Sequence, residues 1–88
     1  MAAKLIKVRK NFVESASNEL IKQLLDDLLD EGVLNDGEKD SILEENKGRA
    51  DKARCLVDAV KRKGDDASGK MIAHLKSRDP AVCSKLGL

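Results

Sequence analysis

Three apolar doublets, Leu20-Ile21, Leu24-Leu25 and Leu28-Leu29, recur every four residues between about Asn18 and Asp30. That spacing lays a broad apolar stripe along a helix, wide enough to be covered by several neighbours rather than one. A chain holding such a helix has to build other helices around it. The remaining sequence agrees, because apolar residues fall at helical spacing almost throughout and no stretch alternates long enough to predict a strand.

Six helical segments follow from this pattern. The first runs from about Ala3 to Ala16, with Leu5, Val8, Phe12 and Val13 on one face and Lys4, Lys7 and Lys10 largely off it. Ser15 and Ser17 interrupt it, so a kink or break is expected there. The doublet helix is second and stops at Gly32. Asn35 and Glu38, three apart, form a capping box that opens a short polar third helix around Ile42 and Leu43. The fourth runs from about Ala50 to Lys63, with Ala53, Leu56, Val57 and Val60 inward and Lys61-Arg62-Lys63 complementing its C-terminal dipole before Gly64. The fifth begins near Asp65 or Asp66 and buries Met71, Ile72 and Leu75. The sixth opens at Asp79-Pro80, Asp as cap and Pro at the first helical position, and stops at Gly87. Connections of two to five residues predict antiparallel neighbours, hence an all-α bundle forming one domain over 1–88. Val, Ile, Leu, Met and Phe number 25 of 88 residues, enough for one small core.

Several function classes are disfavoured. No apolar run is long enough to cross a bilayer, and basic residues recur too early for a signal peptide. Two cysteines without such a peptide predict free thiols and a reducing, cytoplasmic setting. Cys55 and Cys83 are expected as inert thiols, Cys55 buried and Cys83 in the core or semi-exposed. His74, the single histidine, is expected to pack or face solvent rather than act as a base. Cys55, His74 and Cys83 lack zinc-like spacing, and scattered single glycines build no phosphate loop. No catalytic residue, cofactor or metal is therefore expected. One Phe with no Trp or Tyr leaves little to stack on a base.

The net charge of +1 conceals a strong polarity. Residues 1–30 are neutral, 31–46 carry −5, 47–63 carry +5 and 64–88 carry +1. The basic block is a possible nucleic-acid helix, but its acidic flank would repel phosphate. Within the second helix Asp26 and Asp30 are four apart, as are Asp27 and Glu31, a spacing at which like charges destabilise a helix. The matching basic set is Lys4, Lys7, Arg9 and Lys10 in the first helix with Arg49, Lys52 and Arg54 in the fourth. Two surfaces of opposite sign complement copies of the same chain, and contact without a two-fold grows into rings or filaments.

The run Leu24-Leu25-Asp26-Asp27-Leu28-Leu29-Asp30-Glu31-Gly32-Val33-Leu34 resembles the caspase recruitment domain (CARD) family of the death-fold superfamily. Leu5, Val8-Arg9-Lys10 and Phe12-Val13 are similar to the basic first helix of these domains. Glu44-Glu45-Asn46 with Asp51-Lys52-Ala53-Arg54 and Leu56-Val57-Asp58 resembles their third-to-fourth helix passage, and Leu86-Gly87-Leu88 resembles the close of the domain in caspase-1-like prodomains. The resemblance implies a six-helix Greek-key bundle at the start of a longer protein. It also implies homotypic binding to CARD-containing sensors, adaptors and itself, in filaments that activate an inflammatory caspase by proximity. A CARD-only decoy that caps such filaments is the other reading. By position, the resemblance places the acidic contact on Asp26, Asp27 and Asp30 and the basic contact on Arg9, Lys10, Lys52 and Arg54. Gly37, Gly69 and Lys61-Arg62-Lys63 depart from the family pattern.

Overall fold

The computed structural model describes residues 2–45 and 48–88. Met1, Asn46 and Lys47, which enter the charge blocks and the resemblance above, lie outside the described residues. Six helices are present and no strand among those described: α1 (Ala2–Ser15), α2 (Asn18–Asp30), α3 (Asp36–Glu45), α4 (Arg49–Arg62), α5 (Asp65–Arg78) and α6 (Pro80–Lys85). The fold is the all-α bundle of six helices that the spacing predicts.

Local chemistry sets the helix ends. Ser17 accepts the Leu20 amide at 3.1 Å and starts α2. The interruption expected at Ser15 and Ser17 is the boundary between two helices, with α1 ending at Ser15 and α2 beginning at Asn18. The capping box closes both ways: Asn35 Oδ1 accepts the Glu38 amide at 2.8 Å, and Glu38 Oε1 accepts the Asn35 amide at 3.0 Å. Asp79 accepts the Val82 amide at 3.1 Å ahead of Pro80. Gly64 opens α5 at φ 107° and ψ −169°, a backbone state that a side chain disfavours strongly. The one fully buried polar side chain among the described residues, Ser68, donates to the Gly64 carbonyl at 2.8 Å.

Packing departs from sequence order. α4 and α5 touch each other, and α1 and α2 each pack on both of them. The two-residue link between α1 and α2 turns the chain without making these helices a principal pair. All three α2 doublets begin inward, but only the first two are wholly buried; Leu28 is covered and Leu29 is only partly buried.

Arg49 couples the start of α4 to the end of α1. Its Nη1 donates to the carbonyls of Val13 and Ala16, each at 2.6 Å. No basic residue stands in the last turn of α1, so its orphan carbonyls take their cation from another helix. Arg49→Met should cost about 1.5–3 kcal/mol, the usual worth of hydrogen bonds from a charged donor. At about 4–8 °C per kcal/mol for a domain this small, thermal melts should show the loss clearly. An unchanged melting temperature would refute the capping role.

Candidate interaction surface

The acidic surface lies along the outer side of α2, and folding treats its carboxylates very differently. Asp26 is 61% exposed at its side chain and accepts from Lys39 Nζ on α3 at 2.6 Å. Asp27 is only 12% exposed. The Arg78 guanidinium on α5 grips it through Nε at 2.9 Å and Nη2 at 2.7 Å, and His74 Nδ1 stands 3.4 Å away. Hydrogen bonding from Arg78 holds the Asp27 carboxyl below its ordinary range. His74 Nε2 meets Glu31 at 2.9 Å. Asp30 is exposed, with no ion pair among the described residues.

The basic surface spans α1 and α4. Arg9 places a two-pronged fork on Asp58, Nε at 2.8 Å and Nη2 at 3.0 Å, which ties the two helices together and lowers the Asp58 pKa. Arg54 is half-exposed and leans on Asp51 at 2.8 Å within its own helix. Asp58 lies one helical turn beyond Arg54, so the Arg9 fork and Arg54 share one stretch of α4. Lys4, Lys7 and Lys10 are exposed and Lys52 is half-buried. Arg49 does not belong to this surface, since its guanidinium is committed to the α1 carbonyls.

The sequence reading missed His74 and Arg78 as partners of α2. Both pairs sit four apart, Asp27 with Glu31 and His74 with Arg78, so each set forms one stripe on its helix. Only the packing of α2 on α5 shows that the stripes meet. The basic run at the end of α4 also finds its role. Lys63 Nζ reaches Glu38 at 3.0 Å and joins α4 to the start of α3, and this contact, then the Asn35 amide, lowers the Glu38 pKa. Cys55 is half-buried rather than buried, lining a groove of about 530 Å³ between α3 and α4 with Ile42, Ala59 and Arg62. Cys83 is buried. Among the described residues no group of His, Cys, Asp and Glu is arranged to hold a metal, and no helix is long and apolar enough to cross a membrane.

Asp27, Glu38 and Asp58 each join two helices and each has a lowered pKa. Their stabilisation is complete above the ordinary carboxylate range near ~4 and is lost as pH falls through the lowered folded-state values. Thermal stability should hold level from neutrality to about pH 5 and drop steeply below about pH 4. In Asp27→Asn, melts followed by circular dichroism should show a shallower acid drop. An identical drop would mean that the Arg78 fork contributes nothing.

The family model described as the caspase recruitment domain matches residues 2–88. The chain is 38% identical to Caspase-1-A of Xenopus laevis over 88 residues, which is all of this chain and 23% of that protein. It is 39% identical to Caspase-1 of Equus caballus, covering 22% of that protein. Against Caspase recruitment domain-containing protein 18 of Homo sapiens it is 39% identical over 82 residues, which is 93% of this chain and 91% of that protein. The chain thus spans under a quarter of the caspase-1 relatives and nearly all of the last one. No solved structure gives a significant match. A helical bundle matched from its second residue to its last, with relatives well above 30% identity, belongs to the caspase recruitment domain family, the interaction domains of the death fold.

Proposed function

We propose that this domain recruits and polymerises an inflammatory caspase of the caspase-1 type on an upstream sensor or adaptor in the cytoplasm. In this reading it forms the N-terminal part of a cysteine endopeptidase whose activation depends on proximity. The observation supporting it is the pair of opposite surfaces on one CARD. Asp26 and Asp30 stand exposed on α2, and Lys10 and Arg54 stand exposed on α1 and α4. Head-to-tail contact between such surfaces leaves both ends open and propagates. Asp27 supports the acidic surface from behind, held by Arg78, and Arg9 supports the basic one, held by Asp58.

The purified domain should form filaments at low salt that disperse as salt rises, because exposed charges are screened beyond about 10 Å at 0.1 M. Sedimentation and negative-stain microscopy across a salt series measure this. The reading fails if no assembly appears at any salt and a caspase-1 CARD is not recruited. A second reading, a CARD-only decoy, is favoured by the match over 91% of human Caspase recruitment domain-containing protein 18. Added to growing caspase-1 CARD filaments, a decoy halts elongation, whereas a recruiting module is incorporated and extends them.

A further inference from the structure

Interfaces held only by exposed charges are weak, and a few desolvated side chains inside a polar rim usually carry most of the affinity. Among the described residues, one large apolar side chain is exposed: Ile6, at 55%. It sits on α1 three residues before Arg9 and four before Lys10. At 3.6 residues per turn those cations flank it at about 60° on one side and about 40° on the other. A single exposed aliphatic residue is ordinary. Its placement between two residues of the basic surface is what gives it a role.

Leu29 on α2 has the matching setting. It belongs to the third doublet, yet it is only partly buried while Leu28 is fully buried, and it is not among the residues packed against the core. Asp26 precedes it by one turn and Asp30 follows it directly. Each surface thus carries one apolar side chain among charges of one sign, and the signs are opposite.

We propose that Ile6 and Leu29 are the apolar anchors of the contact between copies of this chain. Ile6 of one copy seats beside Leu29 of the next, inside a rim of cations from α1 and α4 and carboxylates from α2. The inference rests on the homotypic reading above and names the residues that reading lacks. Charge complementarity identifies the occupant as a second copy. An anionic lipid surface would meet Ile6 and its lysines but would give Leu29 no part.

The test is the concentration threshold for assembly of the wild type, Ile6→Gln, Leu29→Gln and the double variant, measured by sedimentation at low and high salt. Ile6 is exposed, so Ile6→Gln keeps the core intact and decides the matter alone if Leu29→Gln does not fold. Each single variant should raise the threshold about tenfold at every salt concentration while keeping the wild-type salt slope. The double variant should be little worse than either single one, since both remove one shared contact. A threshold for Ile6→Gln within twofold of wild type, with Asp26→Lys still abolishing assembly, overturns the anchors and leaves the homotypic reading standing. A wild type that never assembles overturns both. Binding to phosphatidylserine vesicles that Ile6→Gln removes, with assembly unchanged, overturns the proposal in favour of a membrane surface.

Discussion

Asp26→Lys should abolish assembly at protein concentrations where the wild type forms filaments, raising the threshold by roughly a hundredfold or more. Asp26 is the carboxylate to reverse because its side chain is 61% exposed and its partner among the described residues, Lys39, is a flexible amine. A lysine at position 26 would meet Lys39 in water, where both chains can swing apart, so circular dichroism and the melting temperature should change little. Asp27 is unsuitable. Its carboxylate is 12% exposed under the Arg78 fork, and a lysine there would face a guanidinium at close range and damage the α2–α5 contact itself. Arg54→Glu is the matching reversal on the basic surface, since Arg54 is half-exposed and its pair with Asp51 is local to its own helix. Arg9→Glu would set a carboxylate against Asp58 and strain the α1–α4 contact. Each reversal alone should block filaments, and a mixture of the two variants should restore a pairwise complex without long polymers. Sedimentation of the mixture measures this. Filaments formed by Asp26→Lys at low salt would refute the charged contact.

Phe12→Ala should cost about 3–5 kcal/mol, the largest effect expected from any single substitution here. Phe12 is 1% exposed and is the one aromatic residue of the chain. It sits on α1 within the one core cluster, so the void would open inside the core. Domains of this size keep only about 5 kcal/mol or a little more in hand, and the variant should be largely unfolded at 37 °C. Phe12→Leu, which retains most of the volume, should lose less than about 1.5 kcal/mol. Urea denaturation at 25 °C separates the two. A loss below about 1.5 kcal/mol for Phe12→Ala would mean that the site collapses around the smaller side chain.

Much of the architecture is legible in local chemistry. Ser17, Asn35 with Glu38, and Asp79 with Pro80 mark helix starts because a side-chain oxygen two or three residues from an orphan amide can bond it whatever the rest of the chain does. The helix faces follow from 3.6-residue spacing, and so Leu5, Val8, Phe12, Leu24, Leu56 and Met71 are readable as core. The surface is harder to read. Counting charge by segment assumes that each charge is free, and Arg49 and Asp27 are not.

By itself, then, the sequence determines that this protein is a bundle of six helices with one core and with acidic and basic faces on different helices. Those properties depend on residues within a turn or two of one another. Only the tertiary structure decides which charges a partner can reach. Lys39 pairs with Asp26 from 13 residues away yet leaves it exposed, Arg9 is held by Asp58 across 49, and Arg78 clamps Asp27 across 51. Such pairings depend on how helices pack, and packing is set by the whole core at once. Ile6 stays exposed and Leu29 only partly buried for the same reason: the core closes without them.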